Sequence, residues 1–160
     1  MSNMTSVGIS DMKIIKGNGC LITYALGSCV GICIYDSRTK LAGMVHIMLP
    51  NAPNGDNANP YKYADVGIKN MISKMISMGA VKSNLFAKIA GGAKMFEIFD
   101  DNAFGNIGKR NIITVKDVLQ GERIPIKGEQ VGANYARTLL FCAENGEAKV
   151  RTAGSKETIF

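Results

Sequence analysis

Two apolar, strand-like runs, VGICIYD (residues 30–36) and LAGMVHIML (residues 41–49), are separated only by Ser37, Arg38, Thr39 and Lys40. Runs joined by so short a polar link are expected to pair as an antiparallel hairpin. Pro50 ends the second run. Side chains alternate between the two faces of a strand, so the register of this hairpin decides which residues share a face. A two-residue tip at Ser37–Arg38 sets Cys29 directly opposite His46. A four-residue loop leaves both on one face as diagonal neighbours, and a three-residue loop puts them on opposite faces. Most registers therefore bring a thiol near the single histidine of the chain. Directly opposed residues have Cβ atoms about 4.5–5.5 Å apart, within reach of a thiol–imidazole hydrogen bond.

Cys29 follows Gly27 and Ser28, at a corner between the run ITYAL and the hairpin. A cysteine attacks as its thiolate, and a neighbouring imidazolium lowers the ordinary thiol pKa of about 8.5. The imidazole then protonates a leaving amine. A backbone N–H of the Gly27–Ser28–Cys29 corner is placed to stabilise an oxyanion, and Gly27 lets the chain turn sharply. Thr23, on the preceding strand, offers a hydroxyl to orient the ring, which completes a nucleophile, a base and an orienting group. The plainer reading makes Cys29 a small core residue and His46 a core residue with a satisfied nitrogen. Register alone leaves both open. Cys20, Cys33 and Cys142 read as core residues, because no second histidine is available to serve them.

Composition narrows the function classes. The 160 residues read as a single domain, 1–160, with residues 1–10 as a loose leader. The net charge is +6, from 19 Lys and Arg against 13 Asp and Glu, but no five basic residues run together. Aromatic residues do not interleave with the basic ones as in single-strand binders. An acidic protein partner therefore ranks above nucleic acid. Four cysteines are too few for a disulfide scaffold, and one histidine argues against zinc. Asp36, Asp56 and Asp65 lack metal-ligand spacing, so no metal is expected. No signal peptide and no apolar run of about 20 residues is evident. The expectation is a cytoplasmic protein with reduced thiols and no membrane insertion.

Elsewhere MKIIKGNGCLITYAL reads as one or two strands broken at Gly17–Gly19. Helices are expected over about 62–78, closed by Gly79, and over about 107–119, closed by Gly121. Met71, Met75 and Met78 read as packing on the first of these. NLFAKIA, RIPIKGEQV, ARTLLFCA and EAKVRTA read as strands, with Asn145–Gly146 as a hairpin tip between the last two. Gly91–Gly92 is either a turn or a loop approached by a ligand. GNIGKR (residues 105–110) is a helix entrance more than a phosphate loop, because the full spacing is missing. Many strands with two inserted helices make an α+β fold.

The segments LGSCVGICIYD, AGMVHIMLP, KYADVGI, AKIAGGAKMFE and NIGKRN, in that order, resemble the CheD family of chemoreceptor glutamine deamidases. The resemblance runs over most of the chain. It implies a three-layer β/β/α sandwich with two main helices. It also implies a catalytic set of Cys29, His46 and Thr23, with no cofactor. The implied reaction converts glutamines of methyl-accepting chemotaxis receptors to glutamate through a cysteine thioester. The CheC phosphatase is the implied protein partner, and the chain is expected to be a monomer. Where the family commonly has D-x-G-G-N-R-G-R, this chain reads QVGANYAR. Asn134 and Arg137 remain from that pattern, and with Gly91 and Gly92 they are candidates for substrate or partner contact. Two other activities fit the same residues: a non-catalytic regulator of CheC, and a methylesterase acting on receptor glutamyl esters.

Overall fold

The strands β4 (Val30–Asp36) and β5 (Leu41–Ile47) are buried at every position. A strand that is apolar without alternation needs cover on both faces, and that requirement organises the molecule. On one face Val30, Ile32, Ile34, Val45 and Ile47 form a core with the helices α1 (Ala64–Ser77) and α2 (Ile107–Gly121). On the other face Cys33, Tyr35, Ala42 and Met44 meet Leu21, Leu139, Phe141 and Val150 of a second sheet. The layers are therefore sheet, sheet and helices, as expected from the sequence.

The computed structural model describes residues 3–53, 58–95, 106–154 and 156–160. Asp56, Gly105 and the Phe96–Glu97 end of AKMFE lie outside the described residues. The middle sheet has the order β2-β5-β4-β6-β7, with β2 at Met12–Lys16, β6 at Leu85–Gly91 and β7 at Ile126–Val131. The outer sheet has the order β1-β3-β8-β9-β10. Its strands are β1 (Met4–Ser6), β3 (Cys20–Leu26), β8 (Arg137–Cys142), β9 (Ala148–Thr152) and β10 (Lys156–Ile159). MKIIK and CLITYAL are thus two strands, and they belong to different sheets.

Helix α1 presents Ala64, Ile68, Met71, Ile72 and Met75 to the middle sheet at helical spacing. Met71 and Met75 lie over Gly43 of β5, where an added Cβ would stand 3.0 Å from both sulfurs. A short 3-10 turn, Pro60–Lys62, precedes the helix, so it starts two residues later than its periodicity suggests. The Asn145–Gly146 tip joins β8 to β9 as expected. A side chain at Gly146 would stand 2.6 Å from the ring of Tyr35.

Two expectations are corrected. The described part of the expected leader, residues 3–10, is not loose, because β1 pairs in parallel with β3, Met4 opposite Cys20 and Ser6 opposite Ile22, and Val7 is buried. Three residues are too few to display alternation, so nothing local marked this strand. Strand β10 was equally unmarked, since KETI carries no apolar alternation of its own and forms by pairing with β9. The expectation of four reduced thiols also fails. Cys20 and Cys142, 122 residues apart, face each other across β3 and β8 and are joined as a disulfide. Only strand pairing brings them together. Cys29 and Cys33 are free. No helix among the described residues is long and apolar enough to cross a membrane.

Candidate active site

The hairpin loop selects the register. Asp36 is fully buried at the end of β4, and its carboxylate accepts hydrogen bonds from the backbone N–H groups of Arg38 (2.9 Å), Thr39 (3.3 Å) and Val81 (2.9 Å). Burial opposes the charge, yet these donors outweigh it and hold the carboxyl below its ordinary pKa. The bonds to Arg38 and Thr39 fix a four-residue loop, with Asp36 opposite Leu41 and Gly31 opposite His46. His46 therefore points to the space between the sheets, like Ala42 and Met44. Cys29, one residue before β4, packs at the edge of the same intersheet core and is half-buried.

Thr23 reaches this space from the other sheet. After it, β3 bulges at Tyr24–Ala25, with Ala25 at φ +56°, before pairing resumes at Leu26. The sheets approach closely here because Gly31 lacks a side chain; a Cβ there would stand 2.7 Å from Leu139 and 3.7 Å from Thr23. Thr23 Oγ1 and His46 Nδ1 are then 2.7 Å apart, and the Thr23 hydroxyl also donates to the Val7 carbonyl at 2.6 Å. Both side chains are almost fully buried. His46 Nε2, the other ring nitrogen, is buried and has no hydrogen-bond partner among the described residues.

Burial sets the resting charges. It pushes His46 down to about 4 and the Cys29 thiol up, although the backbone N–H of Cys29 itself works the other way. At neutral pH the site holds a neutral imidazole and a thiol, not a thiolate–imidazolium pair. Attack by such a pair requires the imidazole to take the thiol proton as substrate arrives.

The corner carrying Cys29 is gripped from behind. Ala93 N–H donates to the Gly27 carbonyl (2.8 Å), Asn111 Nδ2 to that of Ser28 (3.0 Å), and Gly92 N–H to that of Cys29 (2.8 Å). Gly91 has φ +113°, and a side chain there would overlap the Cys29 carbonyl oxygen. Gly91 and Gly92 are thus where the end of β6 folds onto the corner. Residues 132–137, distant in sequence, join the same cluster: Gly132 N–H donates to the Gly91 carbonyl (3.0 Å) and Lys94 N–H to that of Ala133 (2.9 Å). Arg137 is buried, donates to the Gly132 carbonyl at 2.9 Å and stacks on Tyr135. Asn134 is exposed on this loop. Among the described residues, no three His, Cys, Asp or Glu side chains gather as a metal site.

Asn111 is a further residue of this site, not among the candidates that the sequence motifs single out. It is fully buried on α2, and its amide bridges the carbonyls of Ser28 and Met48 (2.9 Å), so it ties the Cys29 corner to the end of the histidine strand. The signal was present: Gly108, Asn111, Val115 and Leu119 form the buried stripe of α2, and an asparagine among them needs partners.

Comparison with known proteins points the same way. The family model described as CheD chemotactic sensory transduction matches residues 48–152. A Clostridium botulinum (strain Alaska E43) protein is 48% identical over 149 residues, 92% of each chain. One from Syntrophomonas wolfei is 44% identical over 160 residues, 99% of each. One from Caldanaerobacter subterraneus is 46% identical over 154 residues, 96% of this chain and 95% of its own. All three are described as "Probable chemoreceptor glutamine deamidase CheD". This chain belongs to the CheD family. The family model's match contains Asn111 and the whole of α2, and it begins two residues after His46.

Within this CheD-family fold, Asn111→Ala leaves two part-buried carbonyls without this donor. It is expected to destabilise the protein by about 1–3 kcal/mol, read from the midpoint of urea unfolding at constant m.

Proposed function

We propose that this chain is a glutamine deamidase of chemoreceptors, with Cys29 as nucleophile, His46 as base and acid, and Thr23 as the group that orients the ring. The 2.7 Å contact between Thr23 and His46, joining two sheets on the side where Cys29 lies, is the observation that carries it. The names of the relatives supply the substrate class.

In the proposed reaction a receptor glutamine enters beside Cys29. His46 Nε2 takes the thiol proton as sulfur attacks the carboxamide carbon, and a backbone N–H of the corner at Gly27, Ser28 and Cys29 faces the oxyanion. The imidazolium gives its proton to the departing nitrogen, ammonia leaves, and a thioester remains on Cys29. The neutral ring then takes a proton from water, hydroxide adds to the thioester, and its collapse releases glutamate and restores the thiol. Gly91 and Gly92 serve this chemistry by shaping the corner. Asn134, exposed on the loop that packs against it, contacts substrate or partner in this reading, whereas Arg137 is buried and acts on that loop from within, through the Gly132 carbonyl. The CheC phosphatase as a partner, a monomeric state and a cytoplasmic location complete the reading. A net charge of +6 suits acidic receptor helices.

The test is incubation with a receptor cytoplasmic domain followed by peptide mass spectrometry. Glutamine-to-glutamate conversion is expected with the native protein and none with Cys29→Ala. Conversion that persists in Cys29→Ala, or its absence with the native protein, overturns the assignment.

A further inference from the structure

We propose that the backbone carbonyl of Val7 is a positioning group that selects the tautomer of His46, acting through Thr23. A threonine hydroxyl has one hydrogen to give. A carbonyl oxygen only accepts, so the 2.6 Å contact with Val7 O consumes that hydrogen. Thr23 Oγ1 then has only lone pairs to offer His46 Nδ1 at 2.7 Å, and Nδ1 must carry the ring proton. The partner of one imidazole nitrogen decides which nitrogen is protonated. In the neutral ring, Nε2 is left with its lone pair, and Nε2 is the buried nitrogen with no partner among the described residues. That lone pair is the base of the reaction proposed above, on which the catalytic half of this inference rests.

Without an acceptor at Val7, the logic inverts. Thr23 is free to donate to Nδ1, the ring proton moves to Nε2, and the base is blocked. The segment around Val7 is built to hold the acceptor in place. Val7 N–H donates to the Ile22 carbonyl at 2.8 Å, which fixes the peptide beside Thr23, and the Val7 side chain is buried between the sheets. The chain then crosses to the middle sheet and binds the backbone of His46 itself. Ser10 N–H donates to the His46 carbonyl (2.8 Å), and His46 N–H to the Asp11 carbonyl (3.1 Å). One short segment thus holds both members of the dyad, each on its own sheet.

His46 is the sole histidine, so a long-range 1H–15N spectrum of the labelled protein shows one imidazole. At pH 7 the native protein is expected to show a protonated Nδ1 and an unprotonated Nε2. The Val7 carbonyl is weakened by converting the 7–8 amide to an ester. The variant is assembled from a synthetic 1–19 peptide ligated at Cys20, with an all-amide chain made the same way as control. The ester also removes the N–H of Gly8, whose one hydrogen bond is exposed and long, 3.4 Å to Asp11. The ester chain is expected to shift population to protonated Nε2 and to lower kcat about tenfold with KM little changed. Thr23→Ser keeps the hydroxyl and is expected to keep the native pattern, whereas Thr23→Val loses it. A native ring protonated at Nε2, or an ester chain with the control's tautomer, overturns the proposal. If the tautomers behave as stated while no glutamine is converted, the deamidase reading fails and the Val7 assignment stands.

Discussion

His46→Gln is expected to lower glutamine turnover about 10³-fold at pH 7, the scale of a lost general base and acid. Glutamine keeps a polar side chain near Thr23 but cannot relay a proton. The pH dependence separates loss of the base from general damage. In the proposed reaction the neutral ring is the active form. Burial pushes its pKa to about 4, so activity is expected to persist well below pH 6 and to fall only as pH 4 is approached. In His46→Gln the residual rate depends on the spontaneously ionised thiol, whose pKa burial raises. That rate is expected to climb roughly tenfold per pH unit through neutrality, while the native rate is nearly flat. Equal pH profiles for the two proteins would remove His46 from the mechanism.

The same shift ties stability to pH. The folded pKa of His46 lies below the unfolded value of about 6.5, so the unfolded chain takes up the proton first as pH falls. The stabilisation is fully present above pH 6.5 and is lost progressively between 6.5 and about 4. Urea unfolding across this window is expected to show a steeper loss for the native protein than for His46→Gln.

Gly91→Ala is the second large effect. Two costs combine at this position. The backbone has φ +113°, which an L side chain rarely adopts, and the new Cβ overlaps the Cys29 carbonyl oxygen with the Val30 Cα only 3.1 Å away. Neither obstacle is the end of a flexible side chain, so the backbone of the Cys29 corner has to move. A destabilisation of about 3–5 kcal/mol is expected, together with a loss of activity greater than the unfolded fraction explains. Gly132→Ala is the control. Gly132 also has a positive φ, +82°, but nothing lies within 4 Å of its added Cβ. It bears only the conformational cost, about 1–2 kcal/mol, and is expected to keep near-native turnover. A Gly91→Ala protein as stable and active as the control would mean that the corner does not depend on this close approach.

Much of this site was legible because its elements are local. The hairpin VGICIYD–LAGMVHIML is adjacent in sequence, and strand alternation restricts it to a few registers. Asp36 then chose among them, since a carboxylate that binds Arg38 and Thr39 fixes a four-residue loop. That register sets Gly31 opposite His46, with Cys29 at the edge of the same intersheet core. The helices were legible for the same reason, their apolar stripes repeating within one stretch of chain. Illegible were β1, whose three residues form a strand only because β3 offers an edge, and Cys20–Cys142, whose partners are 122 residues apart. The neighbourhood of residues 132–137 was hidden likewise, because only the parallel pairing of β6 and β7 carries that loop to Gly91.

The sequence by itself determined the α+β class, the hairpin, the two helices and the small set of side chains able to do nucleophilic chemistry. These depend on periodicity and on residue type, and both are properties of short windows. The tertiary structure alone decided that β3 and β5 lie in different sheets, so that Thr23 meets His46 across the core and not along a strand. It also decided that burial keeps the thiol and imidazole neutral, that Asn111 holds the corner, and that a carbonyl at Val7 faces the Thr23 hydroxyl. Each of these arises between segments far apart in the chain, where strand order and burial set both distance and charge.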